Sequence, residues 1–380
     1  MHRFLRHDYL SYMPAKFSIK KISILLLLVS FVSVAQHHDA TETDHNASII
    51  EAPELSFKEK IKADINHHIQ DSHSFTFFSD SEKNKHYGFS LPVILWDNGV
   101  QLFSSSKFHH GETVAENNGN YYALYHSKIY KTDAKGTIDY DGEHHVSNVK
   151  PIDFSITKNV VMIFVTCVLM FLLFGGLAKS FGKGPIASGA GRFFEPIVLY
   201  IRDDIARPSI GEKKYKKYMP YLLTVFFFVW FLNLFGLTPL GVNVTGNIAV
   251  TVALALLTFV ITQFSGNKNY WKHIFWMPGV PWPMKIILAP IELMGVFIKP
   301  FALLIRLYAN IMAGHIVLMS IIGLIFIFQN WIGGALSLFL AFFLSIIELL
   351  VAALQAYIFT LLSALYFGFA VEEHEHEEAH

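Results

Sequence analysis

The sequence predicts an all-α polytopic membrane protein of about five transmembrane helices, the last two long and steeply tilted, preceded by a small exported domain with some β-hairpin. Three observations predict it. The 380-residue chain is 53% hydrophobic and only 16% charged, too apolar for an ordinary soluble domain of this size, so the bilayer is its expected solvent. Runs long enough to cross a bilayer crowd into residues 152–370. Residues 36–151, by contrast, are polar, with short alternating runs separated by turn residues. The net charge near zero offers nothing to nucleic acid, and the single cysteine, Cys167, excludes an intramolecular disulfide.

Residues 1–35 read as a signal peptide: Lys16, Lys20 and Lys21 precede an apolar core at 22–34, with Ser33 and Ala35 at the small-residue cleavage positions. That core falls short of the roughly 20 residues a spanning helix needs, which disfavours a first transmembrane helix here. Residue 36 onward is therefore expected outside the cytoplasm. In 36–151 the runs 89–93 and 100–103 flank the turn signal Asp97-Asn98-Gly99, a hairpin pattern. The histidine pairs at 37–38, 67–68, 109–110 and 144–145 lack a repeated ligand spacing and read as solvated side chains, with no metal site.

Spans are expected at 159–178, 221–239 and 244–264. The connection at 179–218 carries nine Lys or Arg against four acids, and 265–285 carries Lys268, Lys272 and Lys285 with no acid, whereas the connections near Leu240 and Asn330 are uncharged. Basic loops mark the cytoplasmic side, so the first span runs inward, the second outward and the third inward. The apolar runs 286–328 and 331–370 are each about twice the length of a perpendicular span. Each is either a tight hairpin of two spans or one tilted helix. No loop-like cluster interrupts them, which favours two tilted helices and a cytoplasmic tail at 371–380.

The chemistry lies on these two runs. Glu292, Lys299 and Arg306 recur every seven residues and Asn310 follows one turn later, so they share a polar stripe. A guanidinium in a bilayer costs roughly 2.5 to 3.5 kcal/mol on insertion scales and cannot shed its proton, so Arg306 must meet an anion or water. His315 is nine positions on, half a turn round, and serves another compartment. Glu348 and Gln355 share one face of the last run. An imidazole titrates near neutrality, so His315 and Glu348 form a candidate proton-passing pair, the alternative being a structural polar clamp between helices.

The runs P-I-E-L-M-G-V-F-I-K-P at 290–300 and I-R-L-Y-A-N-I-M-A-G-H at 305–315 resemble the signature of subunit a of F-type ATP synthases, usually R-L-[FY]-[GA]-N-M-x-A-G. F-L-N-L-F-G-L-T-P at 231–239 with Asn233, Asn247 with the Ala-rich third span, and L-Q-A-Y-I-F at 354–359 are similar to the same family. The resemblance covers roughly residues 153–370. It implies a bacterial inner-membrane stator subunit that is not itself catalytic and holds two offset half-channels against a ring of c subunits, with peripheral-stalk b subunits and the remaining F0F1 subunits as further partners alongside membrane lipid. By that likeness Arg306 faces the ring carboxylates, Asn310, His315, Glu348 and Gln355 line the outer access path, and Glu292 lies toward the cytoplasmic exit. Lys299, Asn233 and Asn247 are supporting polar residues. Some relatives exchange the acid and the histidine between the two helices; here the histidine is on the earlier one.

An ion-coupled secondary transporter is the alternative, but no self-similar half is visible. A membrane enzyme would need a nucleophile with its base, metal ligands or a phosphate loop, and the spans contain none. No cofactor or nucleotide is expected on this chain. Residues 36–151 depart most from the family, and the acidic, histidine-rich tail reads as a solvated cap.

Overall fold

The computed structural model describes residues 71–372, apart from 81–84, 112, 143–144, 184–188, 190, 239–241, 278 and 329. The expected signal peptide, the histidine pairs at 37–38 and 67–68, His144, the connection at Leu240 and tail residues 373–380 lie outside the described residues.

The first part is β-rich. Strands β1 (Ser74–Asp80) and β2 (Lys85–Ser90) form one antiparallel hairpin. Strands β3 (Pro92–Trp96), β4 (Val100–Ser104) and β8 (Ile152–Asp153) make a sheet in the order β4-β3-β8, and β5 (Ala115–Asn117), β6 (Asn120–Tyr125) and β7 (Lys128–Thr132) make another. The Asp97-Asn98-Gly99 turn closes β3 onto β4 with Trp96 opposite Val100, and Asn98 and Gly99 take positive φ, which their residue types tolerate. The run expected at 89–93 is split instead: Leu91 leaves the ladder between β2 and β3, its N–H donating to Ser105 Oγ at 3.0 Å. The β6–β7 turn uses His126 and Ser127, both at positive φ, with the His126 ring stacked on Tyr125; no turn dipeptide announces it.

Alternation along β3 and β4 turns Val93, Leu95 and Phe103 into a core shared with Phe108, Ala115, Tyr122 and Ile129. The opposite face leaves Trp96, Val100, Leu102 and Ile152 exposed. Strand β8 then leads the chain along β3, with Phe154 N–H donating to Ile94 O and Ile156 N–H to Pro92 O, into the first helix. There the β-rich region caps the helix directly. Lys158 N–H donates to Ser72 O at 3.0 Å and Asn159 N–H to the Asp71 carboxylate at 3.3 Å, satisfying donors that a helix N-terminus leaves open. His73 Nε2 and Asp153 Oδ2, 2.9 Å apart, close the joint. Burial pushes the Asp71 carboxyl up despite its bonds to Thr157 and Asn159, whereas at Asp153 the bonds to His73 and Ser155 outweigh burial and hold it low.

Five helices are long and apolar enough to cross a membrane among the described residues. They are α1 (Lys158–Lys183), α4 (Tyr215–Gly236), α5 (Ile248–Ser265), α7 (Trp282–Phe328) and α8 (Trp331–Val371). The second span thus starts and ends earlier than the apolar run suggests, and the third starts at Ile248. Asn247 is its N-cap, accepting from Ala249 N–H at 2.9 Å, and Asn243 Oδ1 accepts from Gly246 N–H, so residues 243–247 bond to themselves instead of extending the helix. At 47 and 41 residues, α7 and α8 are each single helices of about 60 to 70 Å, twice the hydrocarbon thickness of about 30 Å, so neither stands upright in a bilayer. Asn330 caps α8, accepting from Gly333 N–H at 2.6 Å.

The basic connections hold structure that periodicity of the spans does not announce. After α1 come α2 (Gly191–Tyr200), a π-helical turn (Ile201–Ala206) and α3 (Arg207–Ile210), with Ile201, Ile205 and Ala206 buried and Asp203 bridging Arg202 and Arg207. Between α5 and α7 lies α6 (Lys268–Phe275). Both hold the end of α8: Lys214 Nζ and Asn267 Nδ2 donate to Val371 O, Asn267 N–H to Ala370 O, and Gly368 lets the Ser209 carbonyl reach its backbone. The α-helical core centres on α4, whose Leu222, Phe227, Phe228 and Val229 pack with Phe359 and Phe367 of α8.

Candidate functional site

Two contacts fix the antiparallel register of α7 and α8. The Glu348 side chain lies on Gly314, where an added Cβ would meet Oε1 at 2.6 Å, and the Tyr366 hydroxyl donates to Lys299 O at 3.4 Å. Arg306 lies between these two points along α7.

Arg306 and Asn310 are exposed, and the exposed residues beside them on that face of α7 are Ala302, Ala309, Ala313 and Val317. His315 (8% exposed), Glu348 (9%) and Gln355 (3%) point into the protein. The His315 ring lies against Gly236 at the end of α4, where an added Cβ would meet Nε2 at 3.2 Å. The two ionisable groups are thus seated at successive residues of α7, each beside a glycine that has no side chain to hold it off. Glu348 Oε2 is buried with no hydrogen-bond partner among the described residues. A buried carboxylate oxygen without a partner is costly.

Asn233, on α4, is buried and fully engaged: its Nδ2 donates to Ala352 O of α8 at 3.3 Å and its Oδ1 accepts from Thr245 Oγ1 at 2.7 Å. It ties the wall of the polar cluster together. Thr360 and Ser363, buried further along α8, return their hydroxyls to the carbonyls one turn back and are spent there. Glu292 and Lys299 are half-buried. The Lys299 ammonium lies 5.4 Å from the Phe369 ring centroid and 6.0 Å from that of Tyr366, beside a crevice lined by Thr262, Gln263 and Tyr270. Glu292 is fourteen residues, about 21 Å, before Arg306, and His315 about 13 Å beyond it. The arrangement offers two polar zones on opposite sides of one arginine.

Sequence reading did not single out Gly236, Gly314, Asn243 or Thr245. The polar pair Asn243 and Thr245 in an uncharged connection was the available signal. Among the described residues no three His, Cys, Asp or Glu side chains cluster as a metal site.

The family profile described as ATP synthase A chain matches residues 160–368, and one described as a domain of unknown function (DUF8433) matches residues 64–154. The chain is 44% identical over 250 residues to ATP synthase subunit a 2 of Chlorobaculum tepidum, covering 63% of this chain and 70% of that protein. It is 39% identical over 308 residues to ATP synthase subunit a 2 of Prosthecochloris aestuarii, covering 76% and 94%. With ATP synthase subunit a of an Anaeromyxobacter species it shares 40% over 268 residues, 66% of this chain and 64% of the relative. The profile spans more than half of the chain, which displaces the secondary transporter: the chain belongs to the ATP synthase A chain family, as a multi-pass, proton-conducting membrane subunit of the F0 sector.

Proposed function

We propose that α7 and α8 hold two offset half-channels against a ring of c subunits, and that protons cross only by riding the ring. The outer path runs by Asn310, His315, Glu348 and Gln355, walled by Asn233. The inner path leaves by Glu292 and Lys299. Asn247 serves by capping α5. The subunit supplies no catalytic group and no nucleotide site; peripheral-stalk b subunits and the remaining F0F1 subunits complete the machine. In this reading residues 1–35 are a removed leader, 36–151 an exported periplasmic domain, 152–370 the channel in a bacterial inner membrane and 371–380 a cytoplasmic tail, as the basic connections suggest.

The observation that carries the proposal is Arg306, a permanent cation exposed among Ala302, Ala309, Ala313 and Val317 on one face of α7. Such a face is covered in a membrane assembly, and the covering surface must bring an anion. A deprotonated ring carboxylate satisfies the guanidinium, loses its proton more readily beside it, and leaves a positive barrier to protons passing straight between the paths. Arg306→Lys keeps a charge but loses the planar fork, so ATP synthesis collapses while the seal largely holds. Arg306→Ala loses both, so vesicles carrying the assembled complex also leak protons. Decay of an imposed pH gradient separates the two variants; near wild-type synthesis by an assembled Arg306→Ala complex would overturn the assignment.

A further inference from the structure

The connection between α5 and α7 has a composition unlike the rest of the molecule. Three of the chain's six tryptophans, Trp271, Trp276 and Trp282, fall within twelve residues, together with Lys268, Lys272, His273 and Lys285 and no acid from 265 to 285. The structure sorts them. Ile274 turns α6 inward, 4% exposed, while Trp271, Phe275, Trp276 and Trp282 stay exposed. Trp271 and Phe275 are one turn apart and stack at 6.1 Å and 14°; Lys268 and Lys272, also one turn apart, occupy the adjoining exposed face. Lys285, in the first turn of α7, lies 4.5 Å over the Trp276 ring, bringing a third ammonium to the same aromatic edge. No ion pair among the described residues uses Lys268, Lys272 or Lys285.

We propose that this surface binds the headgroup of an anionic phospholipid, with Lys268, Lys272 and Lys285 as the cationic contacts and the indoles of Trp271, Trp276 and Trp282 set at the headgroup level. The occupant follows from position and charge. The segment directly joins two spanning helices, so it lies at a bilayer surface, and its aromatic edge continues into the exposed Met284, Ile286 and Ile287 of α7. Aromatic rings and cations side by side match the interface between acyl chains and headgroups. Three ammonium groups with no acid select a negative headgroup over a zwitterionic one. Held there, the lipid braces the start of α7, the helix carrying Glu292 and Arg306. The inference stands independently of the half-channel proposal.

The test uses the assembled complex. Native mass spectrometry after mild-detergent purification counts retained phosphatidylglycerol and phosphatidylcholine for the wild type and for Lys268→Gln/Lys272→Gln/Lys285→Gln. The expected result is loss of retained phosphatidylglycerol with phosphatidylcholine unchanged. Equal retention of phosphatidylglycerol, parallel loss of both lipids, or loss of a protein subunit with lipid unaltered each overturns the proposal. Should the triple variant not assemble, a complex carrying Trp96→Phe, Trp230→Phe and Trp331→Phe in this subunit, placed in nanodiscs with brominated lipid, decides it. Fluorescence of the remaining tryptophans of this chain, taken as the difference from a complex that also lacks them, is quenched more by brominated phosphatidylglycerol than by the same fraction of brominated phosphatidylcholine, and high salt erases the difference. Equal quenching by the two lipids sinks the idea.

Discussion

The β-rich region and the α7–α8 pair solve opposite problems. In the first, alternation buries Val93, Leu95, Phe103 and Tyr122 together, and the charged groups beside them are paired within the same region: Asp97 with Lys131, Asp153 with His73. In the second, long apolar rows of α7 and α8 stay uncovered, Arg306 has an exposed side chain, and Glu348 keeps an unsatisfied oxygen. The first region pairs these charges within itself. In the proposed reading the second is a half-interface, completed by something outside the chain.

The largest effect expected from this contrast is positional. If the two regions meet different solvents, cysteines at Asn120 in the β-rich region and Lys216 in the first turn of α4, in a background lacking Cys167, label from opposite sides of the membrane with an impermeant reagent. Labelling of both from one side would remove the five-span arrangement and with it the placement of both half-channels.

Next is the pair itself. Glu348→Gln keeps the shape but removes the titrating group, and proton-driven ATP synthesis should fall on the order of 10²-fold, the scale of losing one proton-transfer group. Exchanging His315 and Glu348 should restore more activity than either single change leaves. An exchange no better than the worse single variant would make the two independent. Gly314→Ala is subtler. The substitution favours the helix by about 1 kcal/mol, so the fold is retained, but its Cβ occupies the place of Glu348 Oε1. Synthesis should drop less than for Glu348→Gln, and the shorter Glu348→Asp should recover part of the loss in the Gly314→Ala background. No recovery would mean that the glycine matters to packing alone.

How much of this is legible in the sequence differs between the regions for a physical reason. Span number and the unbroken length of α7 and α8 follow from hydropathy, because a helix in lipid must satisfy its backbone internally whatever surrounds it. The Asp97-Asn98-Gly99 turn is equally local. Leu91 leaving the ladder depends on Ser105, fourteen residues away, and the His126-Ser127 turn on the strands around it. In the site, Arg306, His315 and Glu348 stand out because charge is rare in lipid, whereas Gly236 and Gly314 act by having no side chain where another helix delivers one. Only the helix packing reveals that. Asn247 shows the converse: its residue type marks a polar position, but its bond to Ala249 makes it a cap.

The smallest effect probes the self-contained side of the contrast. The Lys131 ammonium, 2.7 Å from Asp97 Oδ2, with help from the Tyr122 hydroxyl donating at 3.0 Å, holds the Asp97 carboxyl below the usual carboxylate range. A carboxyl whose folded-state pKa is depressed contributes stability that is full above its unfolded value of about 3.9 and is lost as pH falls through the lower folded value. Lys131 is a third exposed, so solvent screens the pair and its contribution is at most about 1 kcal/mol, roughly fivefold in an opening equilibrium. Hydrogen exchange on the full chain, corrected for intrinsic rates, should therefore show amide protection in β3 and β6 falling by up to about fivefold between about pH 5 and pH 2. The same titration of Lys131→Ala should be flatter, because the main cause of the depressed carboxyl has been removed, and Tyr122→Phe should lower protection across the range while leaving most of the slope. Protection in α7 near Arg306 should not follow this titration at all. If it does, the two regions are energetically one unit, and the division between a closed region and an open half-interface fails.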